Sequence, residues 1–346
     1  MRTARRSAIR LLQWMMVASA VLPASMFGYA AWLNYRAAHA VADERIVRTL
    51  DLLQEHGLKV FETIERTLGE VDELTRGMPD QRIVADEQRL HRRLQELVKA
   101  LPQVKSVSIF DRAGRILVTS LQVPADRATD FSDRDYFRAQ VARDSGAYVG
   151  EVLTPRPPFT GADFFPVTRR RSARDGAFAG VIEVSVLPGY FEEFYARSGR
   201  LPGSYAALMR QDGAVLARYP PADPPRRFGR SATLEKLIAQ DPEGGLTTFA
   251  SDFDGIERRA DYRRLAGHPV YVVAGTEAAA IRSEWLWIMG SHLVFGLPAT
   301  VFLLIIIGVA IERTRRLYGE AERRVRSIAT PTMMSRNTVA GSPKTR

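Results

Sequence analysis

The sequence predicts an α+β architecture. A long N-terminal helix precedes two tandem modules, each an antiparallel sheet with helices, and two transmembrane helices flank the whole. Three observations predict it. Two apolar runs, residues 11–33 and 285–311, bracket a polar middle, and each exceeds the roughly 18 residues needed to cross a bilayer. Ile46, Leu50, Leu53, Val60, Ile64, Leu68 and Val71 recur at steps of three, four or seven, close to a heptad seam. A hairpin, helix and strand succession that starts at Val104 starts again at Tyr205.

Composition narrows the function classes. A chain of 346 residues predicts about two domains. There is no cysteine, which excludes disulfides, zinc-thiolate sites and a thiol nucleophile. The net charge of +10 is not spread evenly. Residues 36–284 balance at 36 basic against 36 acidic side chains, four arginines precede Arg36 without an acid, and nine basic residues face three acids after Glu284. Basic ends beside apolar runs form a positive-inside pattern, not a nucleic-acid footprint, and no nucleic-acid partner is expected.

Taken in order, residues 1–10 read as a cytoplasmic N-terminus and 11–33 as the first span. Trp14 and Trp32 stand near its ends, as interfacial aromatics do; Pro23 and Gly28 are tolerated in membrane helices. A cleaved signal peptide ending at Ala18-Ser19-Ala20 is the alternative, but the apolar run outlasts a typical h-region of about 7–15 residues. Residues 36–101 form a stalk. One helix runs from Ala37 to about Arg76 and stops at Gly77-Met78-Pro79-Asp80, and a second runs from about Ala85 to Leu101. The heptad stripe fits its own domain, a second copy, or both, and a homodimer is expected.

Residues 102–198 make a membrane-distal module. Val107–Phe110 and Ile116–Thr119 form a hairpin about Asp111-Arg112-Ala113-Gly114. Asp133–Ala142 is a short helix that opens with alternating charge and aromatic ring, Asp133-Arg134-Asp135-Tyr136-Phe137-Arg138. Ala179–Val186 is an apolar strand. Residues 199–280 make a membrane-proximal module of the same plan. Its hairpin turns at Asp212-Gly213, its helix Ser231–Gln240 starts on a Ser N-cap, and three strands follow. Residues 285–311 are the second span, whose only ionisable residue is His292, and 312–346 are a short basic cytoplasmic tail that turns polar past Ile328.

Laid out this way, the chain resembles the double Cache family of bacterial extracytoplasmic sensors. The resemblance rests on the flanking spans, the long first helix, Asp111-Arg112-Ala113-Gly114, Ser132-Asp133-Arg134-Asp135-Tyr136-Phe137, and Gly180–Val186 followed by Pro188-Gly189-Tyr190-Phe191. It covers about residues 10 to 312. It implies PAS-like modules, a small ligand in the distal one and a cytoplasmic signalling partner, with the chain in the inner membrane and residues 36–284 in the periplasm. One subset of the family binds amino acids through an Arg-any-Trp-Tyr motif and an aspartate in the last distal strand. Arg134, Tyr136 and Phe137 match the first part in character, and the aspartate position is Ser185, which argues against an amino acid. An amine ligand would require another anion, for which Asp163 is the candidate.

Arg134 can hold a carboxylate through two parallel hydrogen bonds. Tyr136 and Phe137 can wall a small pocket, and Tyr148 and Arg169 belong to the adjoining strands. The expected ligand-binding set is therefore Arg134, Tyr136, Phe137, Tyr148, Asp163, Arg169 and Ser185, with a small organic anion as ligand. The bland alternative pairs Arg134 with Asp163 or Glu151 and leaves the rings as core. The runs Arg169-Arg170-Arg171 and Arg226-Arg227 read as solvated surface. No enzyme is expected. The five histidines lack metal-ligand spacing, and neither a Gly-x-Ser-x-Gly elbow nor a phosphate-binding Gly-Lys-Ser/Thr loop is present. No cofactor or metal is expected either. The residues after Arg313 carry no kinase, cyclase or chemoreceptor signature. They read as an input without its output: a sensor acting on a separate partner, the input half of a histidine kinase or diguanylate cyclase, or an anchored binding or scaffold protein.

Overall fold

The computed structural model describes residues 2–199, 202–221 and 228–329. Most of the polar tail and the Arg226-Arg227 pair lie outside them. Residues His39–Arg282 form one compact unit, and the described parts of 1–38 and 283–346 form the other.

The smaller unit is built from stretches of helices α1 (Arg2–Thr75) and α7 (Ala278–Ala329). Both helices are long and apolar enough to cross a membrane. Their large side chains point outward, with Trp14 at 72%, Trp287 at 79% and Phe295 at 79% exposure. Such exposure is unfavourable in water and costless in hydrocarbon. Within this unit Trp285 Nε1 donates to the Ala31 carbonyl at 3.0 Å, and Tyr35 meets the Trp285 ring edge-on. Helix α7 runs on past residue 312 into the start of the basic tail.

In the larger unit, the apolar stripe of α1 is internal. Ile46, Leu50, Leu53, Val60, Ile64, Leu68 and Val71 are all buried in one core with strands of both modules. At about 1.5–3 kcal/mol per fully buried aliphatic side chain, the helix is held as a spine by its own domain. The alternative of a stripe facing a second copy is therefore corrected. Gly57 allows close approach here: a Cβ would lie 3.1 Å from Leu265 Cδ1. The helix ends at Thr75, and Gly77 takes a left-handed φ of 65° that favours glycine. The second stalk helix is α3 (Glu87–Lys99); a short extra helix, α2 (Asp80–Ala85), precedes it, and the two are separated at Asp86, whose ψ of 10° is not helical.

Each module is a five-stranded antiparallel sheet. The distal strands are β1 (Val104–Phe110), β2 (Ile116–Thr119), β3 (Tyr148–Val149), β4 (Phe165–Ser172) and β5 (Phe178–Val186), ordered β2-β1-β5-β4-β3. The proximal strands are β6 (Ser204–Arg210), β7 (Val215–Tyr219), β8 (Thr247–Ala250), β9 (Glu257–Arg264) and β10 (Val270–Glu277), ordered β7-β6-β10-β9-β8. The repeat seen in sequence is thus a repeat of topology. One face of each sheet lies on the α1 core. The other carries α4 (Asp135–Ala142) in the distal module and α6 (Ala232–Gln240) in the proximal one. Ser231 caps α6, its Oγ accepting from Leu234 N–H at 3.2 Å. Helix α5 (Pro188–Ser198) joins the modules.

Candidate functional site

The distal site starts from the register of β1 and β5. Ser106 faces Ser185, and Ser108 faces Glu183. Side chains alternate across a strand with period two, so these four polar residues share the face that α4 covers. A small cavity of about 50 Å³ lies there, walled by Lys105, Phe110, Phe131, Arg134, Tyr136 and Glu183 among others.

Each charged member has a structural cause. Arg134 precedes α4 in extended conformation (φ −71°, ψ 145°). Its Nε is buried without a hydrogen-bond partner among the described residues. Tyr136, in the first turn of α4, is 2% exposed and lines the cavity together with the Glu183 carboxylate. Burial, reinforced by Glu183, pushes the phenol well above its ordinary value, so it stays a donor. Glu183 accepts from Ser185 Oγ at 2.6 Å, and Ser106 Oγ donates to Ser185 Oγ at 3.0 Å. Burial pushes the Glu183 carboxyl up; the Ser185 hydrogen bond, the Tyr136 hydroxyl and the charges of Arg134 and Lys105 pull part of that back. Burial lowers Lys105, whose Nζ donates to the Ala162 carbonyl at 2.7 Å.

A loop between β3 and β4 closes the cavity. Arg156 grips Asp133 through two hydrogen bonds of 3.0 and 2.8 Å and holds that carboxyl below its ordinary value. Its guanidinium lies 5.7 Å from the centre of the Phe131 ring. The loop is thereby tied to the entrance of α4.

The structure brings Arg134, Tyr136 and Ser185 together and separates the other four expected residues. Phe137 turns into the core and meets Phe178 edge-on at 5.8 Å, because neighbouring helix positions point about 100° apart. Tyr148 lies in a second cavity of about 470 Å³ at the module junction, its hydroxyl donating to Asp135 Oδ2 at 3.3 Å. Asp163 accepts from Thr154 Oγ1 at 2.9 Å and does not line the distal cavity. Arg169 follows Thr168, which pairs with Glu183, so alternation sends it to the opposite face, beside Gly69 of α1. Arg171 of the same run is no surface residue: it is 4% exposed and donates to the carbonyls of Phe110 and Ala179 and to Asp80. Neither proposed partner of Arg134 pairs with it, since Glu151 is held by Arg230 and Asp163 by Thr154.

Sequence reasoning missed Glu183, Lys105 and Arg156. Glu183 had a signal, being the only charged residue of the run 179–186. Lys105 and Arg156 had none, because their convergence depends on loop closure. No cluster of three or more metal-ligating side chains exists among the described residues.

At the junction, Arg210 of β6 donates to Asp135 Oδ2 at 3.2 Å and holds Asp212 through bonds of 3.1 and 2.9 Å. Arg230 bridges Asp212 and Glu151. Asp135 is flanked in sequence by Arg134 and Tyr136, so the cavity wall and the proximal module share one short segment.

No family model matches this sequence, and no curated protein matches it. Solved structures do. The extracellular domain of rpHK1S-Z16, assigned as a histidine kinase, is 26% identical with a TM-score of 0.61, over 72% of this chain and 100% of that one. The extracellular domain of soHK1S-Z6, assigned likewise, is 11% identical with a TM-score of 0.54, over 72% and 99%. The ligand-binding domain of Mlp24, solved with asparagine, is 10% identical with a TM-score of 0.52, over 73% and 98%. These neighbours are extracellular or ligand-binding domains. Residues 39–282, with two sheets of one strand order stacked along a single long helix, share the fold of these extracellular domains, which is the fold that the double Cache resemblance implies.

Proposed function

We propose that the protein is a membrane-anchored extracytoplasmic sensor whose distal cavity takes a small organic anion and passes its occupancy through the proximal module to the second span. The observation that supports the ligand class is Arg134, whose buried Nε has no hydrogen-bond partner among the described residues and borders a cavity where Arg134 and Lys105 outnumber Glu183. A guanidinium in that state favours a carboxylate, which restores the hydrogen bonds that burial removed. At about 50 Å³ the cavity suits a ligand of a few heavy atoms, since pockets for drug-sized ligands run to roughly 300–1,000 Å³. A larger anion would need the Arg156–Asp133 clasp to open. The two apolar helices, with basic residues beyond each, support a two-pass anchor in the bacterial inner membrane with residues 36–284 outside. The Asp135–Arg210 bond supports the route between modules: a shift of the segment that holds Arg134 moves Arg210 directly. Ligand biases that equilibrium only by its differential affinity for the two arrangements.

The test is thermal unfolding of the full chain in nanodiscs against small mono- and dicarboxylates, amines and sugars. A carboxylate at about 100 times its dissociation constant should add about 2.7 kcal/mol, or a rise in Tm of roughly 5–10 °C, and Arg134→Ala should abolish the rise. Stabilisation by an amine or sugar that Arg134→Ala leaves intact would refute the anion reading.

A further inference from the structure

The proximal module holds a cluster that the sensor reading does not use. Arg218 of β7 and Arg258 of β9 are among the most deeply buried side chains of the protein, at 1% and 0% exposure. Both reach Asp254 at the tip of the β8–β9 hairpin. Arg258 donates through Nη1 at 2.7 Å and Nη2 at 2.9 Å, and Arg218 through Nη2 at 3.0 Å. Both guanidiniums lie over the Tyr205 ring, at 5.6 and 4.8 Å from its centre, and Arg218 also meets Phe253 at 5.0 Å. Arg218 Nη1 and Arg258 Nε remain buried without a hydrogen-bond partner. Two buried cations thus share one carboxylate among the described residues.

Register places this cluster where the distal cavity lies in its own sheet. Tyr205 faces Gly275 as Ser106 faces Ser185. Arg218 faces Ala207 as Thr119 faces Ser108. Arg258 stands two residues before Ala260, which faces Gly275, as the cavity-lining Phe164 stands two residues before Pro166, which faces Ser185. The position of Glu183, opposite Ser108, is taken by Val273, opposite Ala207. The proximal counterpart therefore has no acid at that strand position, and among the described residues the carboxylate that meets both guanidiniums comes from a hairpin tip. Asp254 is 28% exposed, so it is the part of the cluster that solvent reaches. Burial raises its carboxyl, and hydrogen bonds from Arg258, Ile256 N–H and Arg218 outweigh that and hold it ionised far below the usual range.

We propose that the proximal module contains a second anion site, built on Arg218 and Arg258 and occupied by the chain's own Asp254 carboxylate, and that a small free carboxylate exchanges with it by displacing the β8–β9 hairpin. Two guanidiniums in this position need a negative partner, because removing one member of a buried ionic group leaves uncompensated charge. The hairpin supplies that partner through a turn closed by Ser251 N–H to the Ile256 carbonyl at 3.0 Å and Gly255 N–H to the Ser251 carbonyl at 2.8 Å. It is moored to the start of α6 by Asp252, which accepts from Ser231 Oγ, Thr233 N–H and Thr233 Oγ1 at 2.7, 3.0 and 2.8 Å, so displacing Asp254 also loads these bonds.

The experiment compares wild type, Asp254→Ala, Asp254→Asn and Asp254→Ala/Arg258→Gln as full chains in detergent, in sodium acetate, sodium chloride and acetamide at matched ionic strength. In chloride, Asp254→Ala should melt about 10 °C below wild type. Acetate, which supplies the missing carboxylate, should return at least half of that loss, while acetamide and the double variant show no return. The wild-type shift in acetate is subtracted, which removes any contribution from the distal cavity. In wild type, acetate should also speed amide hydrogen exchange at residues 251–256 relative to chloride. Should Asp254→Ala not fold in chloride, the acetate response of the isosteric Asp254→Asn decides. An acetate response in the variants no larger than wild type, or hairpin exchange that acetate leaves unchanged, overturns the proposal.

Discussion

Replacing Asp135 by Asn, Arg210 by Gln, and both together measures whether the cavity wall and the proximal module are energetically joined. The pair is half-buried: the side chains are 35% and 14% exposed, with Nη1 and Oδ2 3.2 Å apart. Fully exposed pairs contribute about 0.2–1 kcal/mol, and hydrogen bonds to charged groups about 1.5–3 kcal/mol. Arg210 keeps Asp212 when Asp135 is neutralised, and solvent screens the more exposed partner. A coupling energy of about 1 kcal/mol follows, equivalent to about a five-fold change in an equilibrium constant. The assay is a double-mutant cycle on the full chain, by urea unfolding with and without a carboxylate ligand. The cycle should give about 1 kcal/mol without ligand and a different value with it, and ligand affinity should change about five-fold in Arg210→Gln, which touches no part of the distal cavity. Additivity within about 0.3–0.5 kcal/mol in both conditions, with ligand affinity unchanged, would refute the reasoning and leave the junction as simple glue.

Two further outcomes are expected. Glu183 is raised by burial from its ordinary value of 4.5; between that value and the raised one the folded chain binds more protons than the unfolded chain, so its contribution to stability falls as pH rises through the window. Glu183→Gln should remove that slope in Tm measured from about pH 4 to 8, and a variant with the wild-type pH profile would show that Glu183 stays ionised throughout. Leu50, at 0% exposure in the α1 seam, should lose about 2–5 kcal/mol on replacement by Ala without any change in molar mass by light scattering; a dissociated oligomer at unaltered Tm would place the seam at a contact between copies.

Much of the organisation was legible because it depends on periodicity and charge sign. The spans are charge-free runs, and the seam of α1 is a spacing pattern. The internal repeat shows in paired hairpins, Asp111-Arg112-Ala113-Gly114 and Gln211-Asp212-Gly213. Arg134 and Tyr136 stood out because charge beside an aromatic ring is poor core. Arg169 and Tyr148 were assigned to the same site on proximity along the chain, which strand alternation and the module junction overrule.

The sequence alone determined what each segment can be: where an apolar run is long enough for hydrocarbon, where a helix has a buried side, where a turn breaks a strand. Tertiary structure alone decided which charges meet. Glu183 faces Arg134 across a cavity, Asp135 reaches Arg210 some 75 residues away, and Arg218 and Arg258 share Asp254 over Tyr205. The physical reason is that burial energy repeats with the period of a helix or strand and so is written locally. An ion pair depends on register between strands distant in sequence and on how a loop closes, and no local pattern encodes either.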